Sequence, residues 1–341
     1  MKEAPPPGFD PDAKERALQH EASRWDTSSP VAADPGDIPT IDVSEFFQSG
    51  DPNALAIAAE QLRVASVEVG FYQLIGHGMA AEQLDGIIAE ARRVHDLPDD
   101  VKATIRMDRP EWPLKGVGYL PVGERKLPRR EKGNLNQAFL IKSDRDIGPE
   151  NNQWIPEASL PGFRSAVVAY GEAIEAVAIK LLPIYAEALG LESGFFNEAF
   201  THPFWRLRLS HYAPMEAPAP GGAYGIAPHV DTTFFTLLLQ DSAGLHIFSH
   251  RRDRWIEVPV VAGALVVNTG ELLRQWSNDR FLSTRHFANN AGSTDRYSVP
   301  FFFNANADYP MACLPSCQGP GNPAKYPPVS YRESQAATQG E

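Results

Sequence analysis

Between Trp205 and Asn304 the chain breaks into short β-rich runs separated by turn signals, and this stretch limits the fold more than any other. The runs are WRLRLSHY, FFTLLLQ, GLHIF, RWIEV, GALVVN, RHFAN and RYSVPFFFN, punctuated by DSAG, SHRRD, PVVAG and NNAGSTD. Many short strands so punctuated indicate a sandwich or barrel. Helical patterns come earlier: 54–69, with Leu55, Ala58, Leu62 and Ala65 near a 3.6-residue period, 80–97, stopped by Pro98, and a long apolar stripe over 162–189 that Pro183 is expected to kink. Two strand-like runs, 38–46 closed by a turn and 71–76, accompany them. Helices first and strands later, without βαβ alternation, argue against a doubly wound sheet. The expected class is mainly β with flanking helices.

Composition sets outer limits. At 341 residues and 43% hydrophobic, the chain can bury a sizeable core unaided. Its 43 acidic and 31 basic side chains give a net charge of −12, which disfavours a nucleic-acid partner. The one dense basic run, Lys126 to Lys132, reads as a solvated loop. Cys313 and Cys317 lack a second ligand pair at zinc-finger spacing, and so few cysteines suggest a reducing, cytoplasmic setting. No run approaches the 18 or more apolar residues of a membrane span, and the charged, Pro-rich start does not resemble a secretory signal. A monomer acting on a small molecule is expected.

The chemistry-bearing pattern lies inside the β-rich stretch. PHVD sets His229 and Asp231 two residues apart, and on a strand i and i+2 share a face. His286, in STRHFAN, follows 55 residues later in another strand-like run. Two imidazoles and one carboxylate on one side of a metal leave the opposite positions open, the arrangement suited to Fe(II) and O2 chemistry. Zinc would favour a closed tetrahedral or His-rich shell, so iron is the better fit.

Ten residues beyond His286, Arg296 and Ser298 share a face by the same rule. A guanidinium turned into a barrel needs a counter-charge, because an unpaired buried charge costs several kcal/mol. A dicarboxylate co-substrate would supply it, one carboxylate meeting Arg296 as a two-pronged ion pair while Ser298 donates a further hydrogen bond. Tyr212 offers a phenol to the same carboxylate.

With these residues in view, the stretch from Arg208 to Phe303 resembles the isopenicillin N synthase-like branch of the Fe(II)/2-oxoglutarate-dependent dioxygenases. The resemblance rests on HYAP, PHVDTTFFTLLLQD, GLHIF, RWIEVPVVAGALVVNTGELLRQWSNDRFLSTRH and DRYSVPFFFN, with IPTIDVSEF and GFYQLIGHG matching the leading segment. It covers roughly residues 37 to 310. It implies a double-stranded β-helix (jelly-roll) core with flanking helices, Fe(II) on His229, Asp231 and His286, and 2-oxoglutarate on Arg296, Ser298 and Tyr212. O2 would be the oxidant, succinate and CO2 the co-products, and hydroxylation of a small organic metabolite the expected outcome. Ser210 stands where the family often has asparagine beside the co-substrate. The implied organisation is a flexible arm (1–36), an N-terminal α/β segment packed on the core (37–160), a long helix with the oxygenase core (161–310) and a C-terminal tail (311–341). Two alternatives stand beside this reading: an Fe(II) oxidase that needs no 2-oxoglutarate, and a non-catalytic ligand-binding barrel, whose mark would be a broken triad.

Other residues are assigned by parity. Phe302 and Asn304 share the face of Arg296 and Ser298 and are candidates for the substrate pocket. Arg208, on the face of Ser210 and Tyr212, is expected either to pair internally or to meet an acidic substrate. His77 reads as a turn residue, His246 as a packed core histidine, and His211 as facing away from the pocket.

Overall fold

The structure, a computed structural model, describes residues 27, 29–109, 116–124, 133–143, 145, 151–215 and 223–339. Most of the N-terminal arm, the basic run 126–132 and the middle of the loop 214–225 lie outside the described residues.

In chain order the strands are β1 (Val31–Ala32), β2 (Thr40–Asp42), β3 (Phe71–Ile75), β4 (Gly118–Leu120), β5 (Gln137–Lys142), β6 (Phe204–Tyr212), β7 (Ile226–His229), β8 (Phe235–Gln240), β9 (Leu245–Ser249), β10 (Arg254–Glu257), β11 (Leu265–Thr269), β12 (His286–Ala288) and β13 (Arg296–Asn304). They form a long sheet, ordered β2-β3-β11-β8-β13-β6-β5-β4, and a short one, ordered β1-β10-β9-β12-β7. The helices are α1 (Ser44–Ser49), α2 (Pro52–Glu68), α3 (Ala81–His95), α4 (Asp99–Ala103), α5 (Phe163–Ala188), α6 (Glu271–Trp276) and α7 (Tyr331–Gln339). This is the jelly-roll core with flanking helices.

Alternation along the strands separates the two faces of the long sheet. Leu207, Leu209, Phe235, Leu237, Phe301 and Phe303 belong to the main apolar core together with Leu62, Ile87, Ile174 and Leu181 of α2, α3 and α5. Tyr185 of α5 stacks on Phe235 with centroids 5.0 Å apart, and its hydroxyl lies 3.0 Å from that of Tyr72. Burying one such aromatic ring contributes about 1.5–3 kcal/mol. The opposite face carries Asn268, Thr236, Gln240, Ser298, Arg296, Arg208 and Ser210, so the polar residues are gathered inside the barrel.

The sequence pattern misses several elements. β4 has three residues and α6 six, too short to carry a period; β7 contains Pro228; β5 is an unalternating apolar run. The expected turn after the first strand is α1, closed by Gly50 in a left-handed conformation at φ 68°. α5 continues helical past Pro183 to Ala188. Val31–Ala32, read as part of a loose arm, pairs parallel with β10, and buried Asp37 close behind binds Arg251 and Arg252. In the tail, Leu314, Cys317 and Tyr331 enter the main core, and both cysteines are free thiols.

One buried group makes stability depend on pH. His95, at the end of α3, donates through Nε2 to Leu209 O (3.0 Å), and burial pushes its imidazole down to about 3. Unfolded, it would take up a proton near pH 6.5. Between these values the unfolded chain binds a proton that the folded chain refuses, so stability present above pH 6.5 is lost progressively as pH falls towards 3. Thermal unfolding should show a lower Tm at pH 5 than at pH 7.5, with a smaller difference in His95→Gln; an equal difference in the two proteins would contradict this.

Candidate active site

β7 and β12 are antiparallel neighbours with His229 directly opposite His286, and their ring centroids stand 4.3 Å apart. β7 ends at His229, so strand parity does not deliver Asp231 as the sequence suggests. Asp231 lies in the following turn, where its carbonyl accepts the backbone N–H of Glu271 (2.8 Å) at the start of α6. His229 Nε2 lies 3.5 Å and His286 Nε2 3.8 Å from Asp231 Oδ1. One donor atom from each residue falls within 4.8 Å of the others, and among the described residues no other His, Cys, Asp or Glu cluster does so.

The surroundings aim these atoms. His229 Nδ1 is 2.8 Å from Ala227 O and His286 Nδ1 is 3.2 Å from Thr284 O. A carbonyl only accepts, so each Nδ1 carries the proton and each Nε2 presents a lone pair to the common point. Asp231 Oδ2 accepts from Thr236 Oγ1 (2.8 Å) and Asn268 Nδ2 (3.1 Å), register partners on β8 and β11, which leaves Oδ1 for the centre. Burial pushes Asp231 up, but His286, His229 and Asn268 outweigh it and hold the carboxyl well below the usual carboxylate range. Burial, then the His229 ring, pushes His286 down to about 4. At neutral pH the cluster therefore presents one anionic oxygen, from Asp231, beside a neutral His286 ring.

The second site lies along the same face. Arg296 is register partner of Tyr212, and its guanidinium carbon sits 4.7 Å from that ring's centroid. Nε donates to Ser242 O (3.2 Å) and Nη2 to Gln240 Oε1 (3.0 Å), while Nη1 is buried with no hydrogen-bond partner among the described residues. Ser298 Oγ is 3.5 Å from Tyr212 Oη. The Arg296 side chain passes over Gly244, where a Cβ would come within 3.1 Å of Cδ and Nε and 2.1 Å of Asn289 O; the backbone φ of 131° equally requires glycine.

Arg296, Ser298 and Tyr212 are thus brought together. Ser210 faces Ser298 across the strands but accepts from Arg208 Nε (3.1 Å), so it supports Arg208 directly. Phe302 is half-buried beside Thr236, and Arg206 lies over its ring. Asn304 accepts the Phe234 N–H (3.1 Å) while its Nδ2 is buried without a partner among the described residues. His77 binds Gly263 O at 2.8 Å, His246 stacks on Phe287 at 4.5 Å, and His211 lies against Tyr297 and Asp295 away from the triad. Sequence reasoning missed Thr236, Gln240 and Asn268. The first two were within reach, because Thr236, Leu238 and Gln240 share one face of FFTLLLQ; Asn268 needed the β8–β11 register.

Comparison with known proteins decides the family. The sequence profile of the 2OG-Fe(II) oxygenase superfamily matches residues 205–305, and that of the N-terminal region of non-haem dioxygenases in morphine synthesis matches 38–157. The 2-oxoglutarate-Fe(II) type oxidoreductase hxnY of Emericella nidulans is 30% identical over 309 residues, 86% of this chain and 87% of that protein. The chain belongs to the 2OG-Fe(II) oxygenase superfamily. The 2-oxoglutarate-dependent dioxygenase citB of Monascus ruber is likewise 31% identical over 293 residues, 81% of this chain and 87% of that protein. Among solved structures, a full-length Neurospora crassa protein in complex with alpha-KG and thymine superposes with a TM-score of 0.79 at 23% identity, covering 91% of this chain and 99% of that one. The rice dioxygenase for auxin oxidation gives 0.70 at 23%, covering 89% and 95%. Both structural likenesses concern the fold. As a member of this superfamily the chain is an Fe(II)/2-oxoglutarate-dependent dioxygenase, with O2 as its oxidant. The donor set fits iron, with two imidazole nitrogens and one carboxylate oxygen converging from one side.

Proposed function

We propose that His229, Asp231 and His286 hold the iron, and that Arg296, Ser298 and Tyr212 bind the distal carboxylate of 2-oxoglutarate. We place the enzyme in the isopenicillin N synthase-like branch and take its reaction to be hydroxylation of a small organic metabolite. The observation that carries this reading is Arg296 Nη1, buried beside Tyr212 without a partner among the described residues. A buried guanidinium nitrogen left open costs about 1–3 kcal/mol or more, and a carboxylate oxygen would satisfy it. Gln240 and Thr236 lie four residues apart on β8, about 13 Å at roughly 3.3 Å per residue. Arg296 donates to Gln240 and Asp231 accepts from Thr236, so the two groups are tied to points that far apart along one strand, a separation in keeping with a dicarboxylate held at both ends.

When bound, iron with 2-oxoglutarate and O2 supplies the oxidation, releasing succinate and CO2 as one oxygen atom enters a substrate C–H bond. The chain's own residues orient and shield. Thr236 and Asn268 fix the Asp231 carboxylate, Ala227 O and Thr284 O fix the imidazoles, and Gln240 and Ser242 O hold Arg296 in plane. We further read the chain as a cytoplasmic monomer that binds neither nucleic acid nor membrane, a reading supported by its net acidity and few cysteines; among the described residues no helix is long and apolar enough to cross a membrane. The organisation into arm, α/β segment (37–160), core (161–310) and tail belongs to the same proposal.

Anaerobic addition of Fe(II) and 2-oxoglutarate should give the visible charge-transfer band of the chelate. Asn268→Ala should weaken iron affinity about ten- to hundred-fold, the usual cost of losing a group that holds a ligand. Absence of the band from the wild-type protein would refute the site assignment.

A further inference from the structure

The inward face of the long sheet carries a second group of cations. Arg206 and Arg208 share the face of Ser210 and Tyr212 on β6, directed into the barrel. Arg208 is fully buried; Nε donates to Ser210 Oγ (3.1 Å) and Nη2 to the Asn136 amide oxygen (2.7 Å) in that amide's satisfied orientation. Both partners are neutral. Arg206 sits 5.3 Å from the Phe302 ring centroid, and its Nε is buried with no hydrogen-bond partner among the described residues. Neither arginine forms an ion pair among the described residues. Lys142 of β5 stands in register with Arg206. A protein that gathers two such arginines inside a barrel pays in desolvation and mutual repulsion, and an anion from outside would relieve both.

The position bears on substrate rather than co-substrate. Phe302 is register partner of Arg206 on one side and of Thr236 on the other, and Thr236 holds Asp231. A molecule bound at Arg206 and extending along Phe302 would therefore point towards the proposed iron, while Arg296 remains for 2-oxoglutarate.

We infer that the substrate is an organic acid whose carboxylate docks on Arg206 and Arg208 and whose body runs along Phe302 to the metal centre. The inference rests on the iron and co-substrate assignment made above. It specifies the substrate class: a small carboxylate, not its neutral amide or ester.

The test uses the full chain, anaerobic, with Fe(II) and saturating 2-oxoglutarate so that Arg296 is filled. Benzoate, phenylacetate and cinnamate are each titrated beside their primary amides, followed by calorimetry and by the shift of the iron–2-oxoglutarate band. At least one acid should bind about ten-fold or more tightly than its amide, the minimum for a charged hydrogen bond. Arg206→Gln should remove that preference and Arg206→Lys should keep part of it, both with the charge-transfer band intact, which shows that the fold and metal site survive. Equal binding of acid and amide in every pair, failure of every acid to bind, or a preference that persists in both Arg206→Gln and Arg208→Gln would each overturn the inference. If the wild-type band itself never forms, it is the iron and co-substrate reading that has failed, and the substrate inference falls with it.

Discussion

Asp231→Asn is expected to lose iron and all activity while the protein stays folded. Asparagine matches the shape of aspartate and offers an oxygen to Thr236 or Asn268, but it removes the only carboxylate from a cluster whose other two members are imidazoles. Removing a group that only supports a ligand costs about ten- to hundred-fold in metal affinity, so removing the charged ligand should cost more than about a hundred-fold. The fold should persist because the main core lies on the other face of the long sheet, among Phe235, Phe301, Phe303 and the helices. Asp231→Ala should be less stable than Asp231→Asn, since it leaves Thr236 Oγ1 and Asn268 Nδ2 without their acceptor at about 1–3 kcal/mol each. Iron content after equilibrium dialysis, read beside the unfolding midpoint, checks both claims. Wild-type iron affinity in Asp231→Asn would remove Asp231 from the ligand set.

Arg296→Lys and Arg296→Leu should separate the co-substrate site from the metal. Lysine keeps the charge but loses the planar fork, so the open Nη1 can no longer form one of two parallel bonds to a carboxylate. A charged hydrogen bond is worth about 1.5–3 kcal/mol, or about ten- to hundred-fold in half-saturation by 2-oxoglutarate. Leucine should be worse, because it also abandons Gln240 Oε1, Ser242 O and the face of Tyr212. Iron affinity should scarcely change in either variant, since Arg296 is no part of the triad cluster. Unaltered 2-oxoglutarate saturation in Arg296→Leu would make Arg296 a structural residue.

Much of this site was legible because strand alternation survives any error in strand ends. Arg296, Ser298, Phe302 and Asn304 do share a face with one another, as period-2 reasoning requires, and the β6–β13 register sets Tyr212 opposite Arg296. The same reasoning reached His229 and Asp231 for a mistaken cause: the strand stops at His229, and a turn tied to α6 carries Asp231 to the imidazoles. Elements too short for a period, such as β4 and α6, were invisible, and β5 with them, so the register that puts Lys142 beside Arg206 could not be foreseen. Partners chosen across strands, Asn268 for Asp231 and Asn136 for Arg208, depend on sheet order. Sequence carries that order only through the family resemblance.

Coupling of this site to 2-oxoglutarate turnover is the central property of the proposed enzyme. The most direct measurement is succinate formed by wild type and by His286→Ala, supplied with Fe(II), O2 and 2-oxoglutarate. The wild-type protein should convert 2-oxoglutarate to succinate, slowly alone and faster once a substrate is bound, and His286→Ala should form none above the rate of free iron. Succinate production in His286→Ala equal to that of the wild type would contradict the account.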